Sequence, residues 1–285
     1  MKNLILRSLT GAVYVALICA AVLLGGWWFI ALFSLFTILA LNEFYGLCNS
    51  SSGGENAITR VLDIAGGLIL SIGLGCVNIG LLSPFTVRVL GGTFFTVYLL
   101  YLVVRLVAQL YSQESSPLSN LAYSYMGQMY IALPLGLMSM YYTFPDGPAM
   151  LLAMFVMIWL SDTGAFLVGS LIGRHKLFPR ISPGKTWEGF FGGVLFAVGS
   201  AFVFKLCFPA FFTAFSLGSL CGLGLVVSIF ATWGDLVESL IKRTLGVKDS
   251  GSLLPGHGGI LDRIDSLLLV IPASLLYLVT VSLYA

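Results

Sequence analysis

Run after run of this sequence is apolar over about the 20 residues that a helix needs to cross a bilayer. That feature settles the solvent of the fold before any motif is considered. The runs lie at about 8–24, 26–47, 62–82, 86–110, 121–143, 148–172, 189–208, 214–243 and 261–284. Only 9% of the residues are charged, against roughly a quarter in a soluble domain. A chain so poor in charge cannot coat itself for water, so lipid must surround most of it. The expected fold is an all-α integral membrane protein, a bundle of about nine transmembrane helices. One polytopic membrane domain is expected over 1–285, with N-terminal helices in 1–143 and the helices and loops that carry chemistry in 148–285.

The joints between runs hold Pro, Gly, Ser or Asn, as helix breakers should, and Gly25-Gly26 makes the first of them. Aromatic residues such as Trp27, Trp28, Tyr141 and Tyr142 stand near run ends, where membrane interfaces favour them. Lys2 and Arg7 ahead of an apolar run resemble a secretory signal. The next apolar run follows at once, however, so the first run is expected to be retained. The fifth run carries Ser124, Gln128 and Pro134 and should face protein rather than lipid.

The net charge of +2 creates no field for nucleic acid. Its distribution is more informative. Nine crossings with a cytoplasmic N-terminus put Lys2, Arg7, Arg60, Arg105, Arg174, Lys176, Arg180, Lys185, Lys242, Arg243, Lys248 and Arg263 at inner segments or inner helix ends, which is 12 of the 14 basic residues. The positive-inside rule therefore selects that orientation. The five cysteines are scattered through apolar runs, form no metal-binding pattern, and imply no disulfide.

The polar residues with chemical potential gather in two inner loops. Asp235, Glu238 and Lys242 are spaced to share one face of the eighth span, and Asp262 and Asp265 share a face at the start of the ninth, with Arg263 turned away. Such carboxylates suit Mg²⁺, which takes one or two of them together with substrate phosphates; each could also pair with a local Lys or Arg. Between the two spans, Gly251, Gly256, Gly258 and Gly259 would let backbone N–H groups approach a phosphate. His257 among them could donate to phosphate, move a proton, or make a structural hydrogen bond. In the other loop, Ser182-Pro-Gly-Lys185-Thr contains a GKT fragment, but Pro179 stands where a P-loop needs glycine. That segment is either a Pro-Gly turn opening the seventh span or a mount that sets the Lys185 charge on a phosphate. Asp162 lies inside the sixth span, where an acid is costly. It would face the bundle interior, paired with a buried base, coordinating metal or orienting a base.

The stretch Ser239 to Asp265, SLIKRTLGVKDSGSLLPGHGGILDRID, resembles the signature of phosphatidate cytidylyltransferases, also called CDP-diacylglycerol synthases. The matching positions are Ser239, Lys242, Arg243, Lys248, Asp249, Pro255, His257, Gly258, Gly259, Asp262, Arg263 and Asp265. Ser161-Asp162 with Gly164-Ala165, and Ser182 to Thr186, also resemble family segments. The similarity runs through roughly 150–285, and the N-terminal half resembles the family only in hydropathy and length.

This resemblance implies that CTP and phosphatidic acid become CDP-diacylglycerol and pyrophosphate, in phospholipid biosynthesis, with Mg²⁺ as cofactor. The site would lie at the cytoplasmic face of a bacterial inner membrane, and a homodimer is possible. Asp235 and Asp262 would be metal-binding acids, with Asp265 and Asp162 as further candidates. Lys185, Lys242, Arg243, Lys248, Asp249, His257 and Arg263 would serve catalysis. Ser182, Lys185, Gly258 and Gly259 would touch substrate. Two rivals remain: a transporter, which usually places its polar residues near the midplane in repeated halves, and a CTP-dependent polyprenol kinase, which would release CDP.

Overall fold

The structure, a computed structural model, describes residues 2–51, 57–80, 82–112, 116–251, 253 and 258–284. Ten α-helices carry the described chain: α1 (Lys2–Leu24), α2 (Gly26–Ser51), α3 (Ala57–Asn78), α4 (Pro84–Leu110), α5 (Pro117–Gly127), α6 (Leu133–Leu137), α7 (Gly147–Ile172), α8 (Trp187–Cys207), α9 (Leu217–Thr244) and α10 (Leu261–Tyr284). Among the described residues, seven of them (α2, α3, α4, α7, α8, α9 and α10) are long and apolar enough to cross a membrane. The chain is thus a helical membrane protein of several spans. The other two expected spans are α1, whose apolar stretch Leu9–Leu24 is shorter, and the region around α5 and α6, which is not one helix. The Gly25-Gly26 joint behaves as its residues predict, with φ of 61° and 54°, a conformation cheap only without a Cβ.

The chain divides into two compact units. One contains Met1–Thr143 with Leu245–Arg263, the other Phe144–Thr244 with Ile264–Ala285.

In the first unit a polar knot joins four helices. Helix α4 exposes apolar side chains along most of its length, and its buried residues are Tyr98, Tyr101 and Arg105, spaced along a single face. Arg105 Nε donates to Asp63 Oδ1 on α3 at 2.8 Å. Tyr101 Oη (3.0 Å) and Ser124 Oγ of α5 (2.6 Å) donate to the same oxygen. Gln128 Nε2 donates to the Asp63 carbonyl at 2.7 Å and to Tyr45 Oη of α2 at 3.2 Å. Arg105 is 1% exposed and Gln128 0%, so the expectation that the fifth run faces protein is met. Arg105 is therefore no interfacial marker of orientation, because its charge is consumed inside the protein.

The fifth run is broken for a local reason. Pro134 has no N–H, and its ring would collide with the carbonyl four residues back. A π-helical turn over Gln128–Ala132 shifts the ladder just ahead of it, with Leu133 N bonded to Gln128 O, before the short α6 and a 3₁₀ turn at Met138–Thr143.

Removing one partner of a buried ion pair leaves the other uncompensated and costs about 3–5 kcal/mol. Asp63→Leu is therefore expected to lower thermal stability in detergent sharply. The double variant Asp63→Leu/Arg105→Met is expected to recover much of the loss. A melting temperature unchanged in the single variant would contradict this reading of the knot.

In the second unit α7 and α8 pack along a seam that includes Gly164, Gly169, Gly189 and Gly192. Small residues allow such close approach where lipid provides no hydrophobic drive. Ser161 Oγ and Ser228 Oγ, 2.7 Å apart, tie α7 to α9. Between α7 and α8 lies the one departure from an all-α fold among the described residues. An antiparallel hairpin of β1 (Lys176–Phe178) and β2 (Ser182–Thr186) pairs Lys176 with Thr186 and Phe178 with Ser182.

Candidate active site

The hairpin mounts a lysine against a helix. Leu177 and Ile181 are buried with Leu236 of α9, and Trp233 packs against them; the rings of Phe178 and Trp233 meet edge to face at 5.7 Å. The hairpin is closed at its base by Trp187 N donating to His175 O at 2.9 Å. There Glu188 accepts from Arg174 N at 3.1 Å and contacts His175 Nδ1 at 2.5 Å. Thr186 caps α8, its Oγ1 accepting from Gly189 N at 3.2 Å, as an N-cap threonine does. The Ser182-Pro-Gly-Lys-Thr segment is thus a strand running into a capped helix, not a turn alone.

So held, Lys185 Nζ lies 2.7 Å from Asp235 Oδ2 and donates to Thr232 O at 3.2 Å. Asp235 Oδ1 accepts from Ser239 Oγ at 3.2 Å. Both residues line a cavity of about 520 Å³ together with Asp162, Thr232, Phe166 and Phe190. Its lining combines these polar side chains with the two phenylalanine rings. Asp162 faces this cavity, so an accessible space stands where a packed-in partner was the alternative.

Asp265 belongs to the same unit. Gly234 lets α9 and α10 touch there, since a Cβ on it would come 2.7 Å from Asp265 O. Asp162, Asp235 and Asp265 lie within electrostatic reach of one another. Glu238, noted in the sequence but not placed among the candidate site residues, is buried and pairs with Lys242 at 3.2 Å. Arg243 is exposed at the end of α9, and Ser182 is half-buried at the start of β2.

The remaining candidates lie in the other unit. Asp262 Oδ2 accepts from Ser250 N at 3.0 Å and Gly259 N at 2.8 Å. Gly258 has φ of 83°, which justifies glycine there. Lys248, Asp249 and Arg263 are exposed. Tyr14 Oη of α1 donates to Arg263 O at 3.1 Å. His257 lies outside the described residues, as do Pro255 and Gly256.

Among the described residues, no three His, Cys, Asp or Glu side chains are grouped to hold a metal by themselves. Mg²⁺ does not require that, because it usually keeps waters and takes one or two carboxylates plus substrate phosphates. Acids facing an open cavity beside a lysine are a donor set of that kind.

A family model described as the cytidylyltransferase family matches residues 5–281. A protein named phosphatidate cytidylyltransferase from Staphylococcus epidermidis is 45% identical over 151 residues. Proteins of the same name from Staphylococcus haemolyticus and Staphylococcus aureus are 46% and 45% identical over 153 residues. Each match covers 53% of this chain and 56% of the relative, so the chain spans about half the length of the curated relatives it matches.

Proposed function

The chain belongs to the cytidylyltransferase family, and from that premise we propose that it joins CTP to phosphatidic acid, giving CDP-diacylglycerol and pyrophosphate. The observation that carries the reading is the cavity in which Lys185, Asp235 and Asp162 meet. It offers a cation and carboxylates to phosphates, with aromatic walls beside them.

The phosphate of phosphatidic acid is already ionised and needs no base to activate it. Its oxygen attacks the α-phosphorus of CTP in line, the new O–P bond forms, and the bond to the β-phosphate oxygen breaks as pyrophosphate leaves. Catalysis is then mostly positioning and charge stabilisation. Lys185, fixed by Thr232 O and Asp235, supplies a point charge that is already oriented and needs little reorganisation. Asp235, with Asp162 and Asp265 as further candidates, would hold Mg²⁺, and the sequence resemblance alone adds Asp262 as a metal-binding acid. When bound, that ion neutralises charge on the transferring phosphates. Lys242, Arg243, Lys248 and Arg263 are proposed, on the resemblance of their sequence segment, as further cations for the phosphates.

The proposed setting is the cytoplasmic membrane of a bacterium, with the N-terminus and the site on the cytoplasmic side. Nine crossings follow if α1 and the broken run through α5 and α6 also span. The clustering of basic residues at alternate joints supports that count.

The test is direct. Purified protein with cytidine-labelled CTP, phosphatidic acid and Mg²⁺ is expected to produce a labelled lipid and an equal amount of pyrophosphate, and EDTA is expected to abolish both. Release of CDP without a labelled lipid would replace this reading with the lipid kinase. Neither product from folded protein in lipid would remove the nucleotidyl-transfer reading.

A further inference from the structure

We propose that Glu43 of α2 is a positioning residue for nucleotidyl transfer, holding the backbone on which Asp262 is mounted. The inference rests on the function proposed above, but its geometry lies wholly within the first unit.

One carboxylate of α2 collects three donors from the far end of the sequence. Glu43 Oε1 accepts from Ile260 N at 3.0 Å. Glu43 Oε2 accepts from Leu261 N at 3.0 Å and from Ser250 Oγ at 3.1 Å. Leu261 opens α10, and the first N–H groups of a helix have no partner within it. Such donors are ordinarily met by a side chain a few residues away. Here the acceptor is 217 positions upstream of Ile260. A carboxylate at a helix start is also favoured by the helix dipole, and hydrogen bonds to a charged acceptor are the stronger kind.

Asp262 grips the same two segments. Its Oδ2 takes Ser250 N and Gly259 N, while Glu43 takes Ser250 Oγ, Ile260 N and Leu261 N. Two acids therefore share one short piece of backbone, and a shift in what Glu43 holds is transmitted to the carboxylate of Asp262. Two glycines record how close the contact is. A Cβ on Gly251 would come 2.7 Å from Glu43 Oε1, and one on Gly259 would run into Glu43 Oε2 and Ser250 Oγ. The second glycine of the His-Gly-Gly triplet thus has a steric reason that lies in α2.

Misplacing reacting groups by about 1 Å can cost about 100-fold in rate. Glu43→Ala is expected to lower kcat for CDP-lipid formation by about that factor, with the KM for phosphatidic acid within about threefold of wild type. Glu43→Gln keeps the shape and one acceptor oxygen and is expected to restore kcat to within about tenfold of wild type. Hydrogen exchange is expected to quicken at Ile260 and Leu261 in the alanine variant, with the rest of α2 unchanged.

Wild-type kcat in Glu43→Ala would overturn the proposal. So would equal losses in both variants that track a fall in folded, monodisperse protein. If the wild type itself forms no CDP-lipid, the nucleotidyl-transfer reading fails. The exchange rates then still decide whether Glu43 holds this backbone.

Discussion

Replacing Asp235 with asparagine is expected to reduce turnover by about 1,000-fold, the scale seen when one preorganised electrostatic group is removed from an active site. Asparagine keeps the size and one oxygen of the side chain, so the Ser239 Oγ bond to Oδ1 at 3.2 Å can persist. What disappears is the negative charge facing Lys185 Nζ across 2.7 Å and the anionic oxygen available to a divalent cation. Asp235 is part-exposed in the cavity, so its loss should not unbalance a packed core. The measurement is the initial rate of CDP-lipid formation at saturating CTP, phosphatidic acid and Mg²⁺, beside the melting temperature. Asp146→Asn, altered at an exposed contact with Thr213, is the control and should keep its rate. An Asp235→Asn protein that turns over within a few-fold of wild type would take Asp235 out of the mechanism.

The legible parts of this molecule are those governed by local rules. Length and apolarity mark the spans, and the turn at Gly25-Gly26 follows from backbone freedom. The polar residues of the fifth run announce that it is buried in protein. Asp235, Glu238 and Lys242 share a face because a helix has 3.6 residues per turn, and Lys242 duly pairs with Glu238.

The illegible parts depend on partners distant in sequence. Arg105 has the pattern of an inner helix end, yet it is spent on Asp63, 42 positions away. Asp63 itself was open to detection, since an acid at the start of an apolar run invites the suspicion that Asp162 attracted. Glu43 offered no comparable signal. It sits near the polar end of a run, where an acid is unremarkable, and its donors are backbone groups that the sequence does not distinguish. The hairpin is similar: its strands are three and five residues long and are held by Leu177 and Ile181 against Leu236 and Trp233, a contact that periodicity does not reveal.

Lys185 is the second residue whose loss should be severe. Lys185→Met keeps the apolar stem over the hairpin and deletes the ammonium, and a fall of about 100-fold in kcat/KM is expected. Lys185→Arg should recover only part of this, because a planar guanidinium cannot replace a compact ammonium between Thr232 O and Asp235 Oδ2. The decisive comparison is the double variant. If Lys185 and Asp235 act as one unit, Lys185→Met/Asp235→Asn should be little slower than Asp235→Asn alone, since groups that work together are strongly non-additive. If the two losses multiply instead, the 2.7 Å pair is a resting contact that opens before reaction. Each partner then meets the phosphates separately. The cycle therefore measures whether the paired geometry of Lys185 and Asp235 is the geometry in which the phosphates are handled.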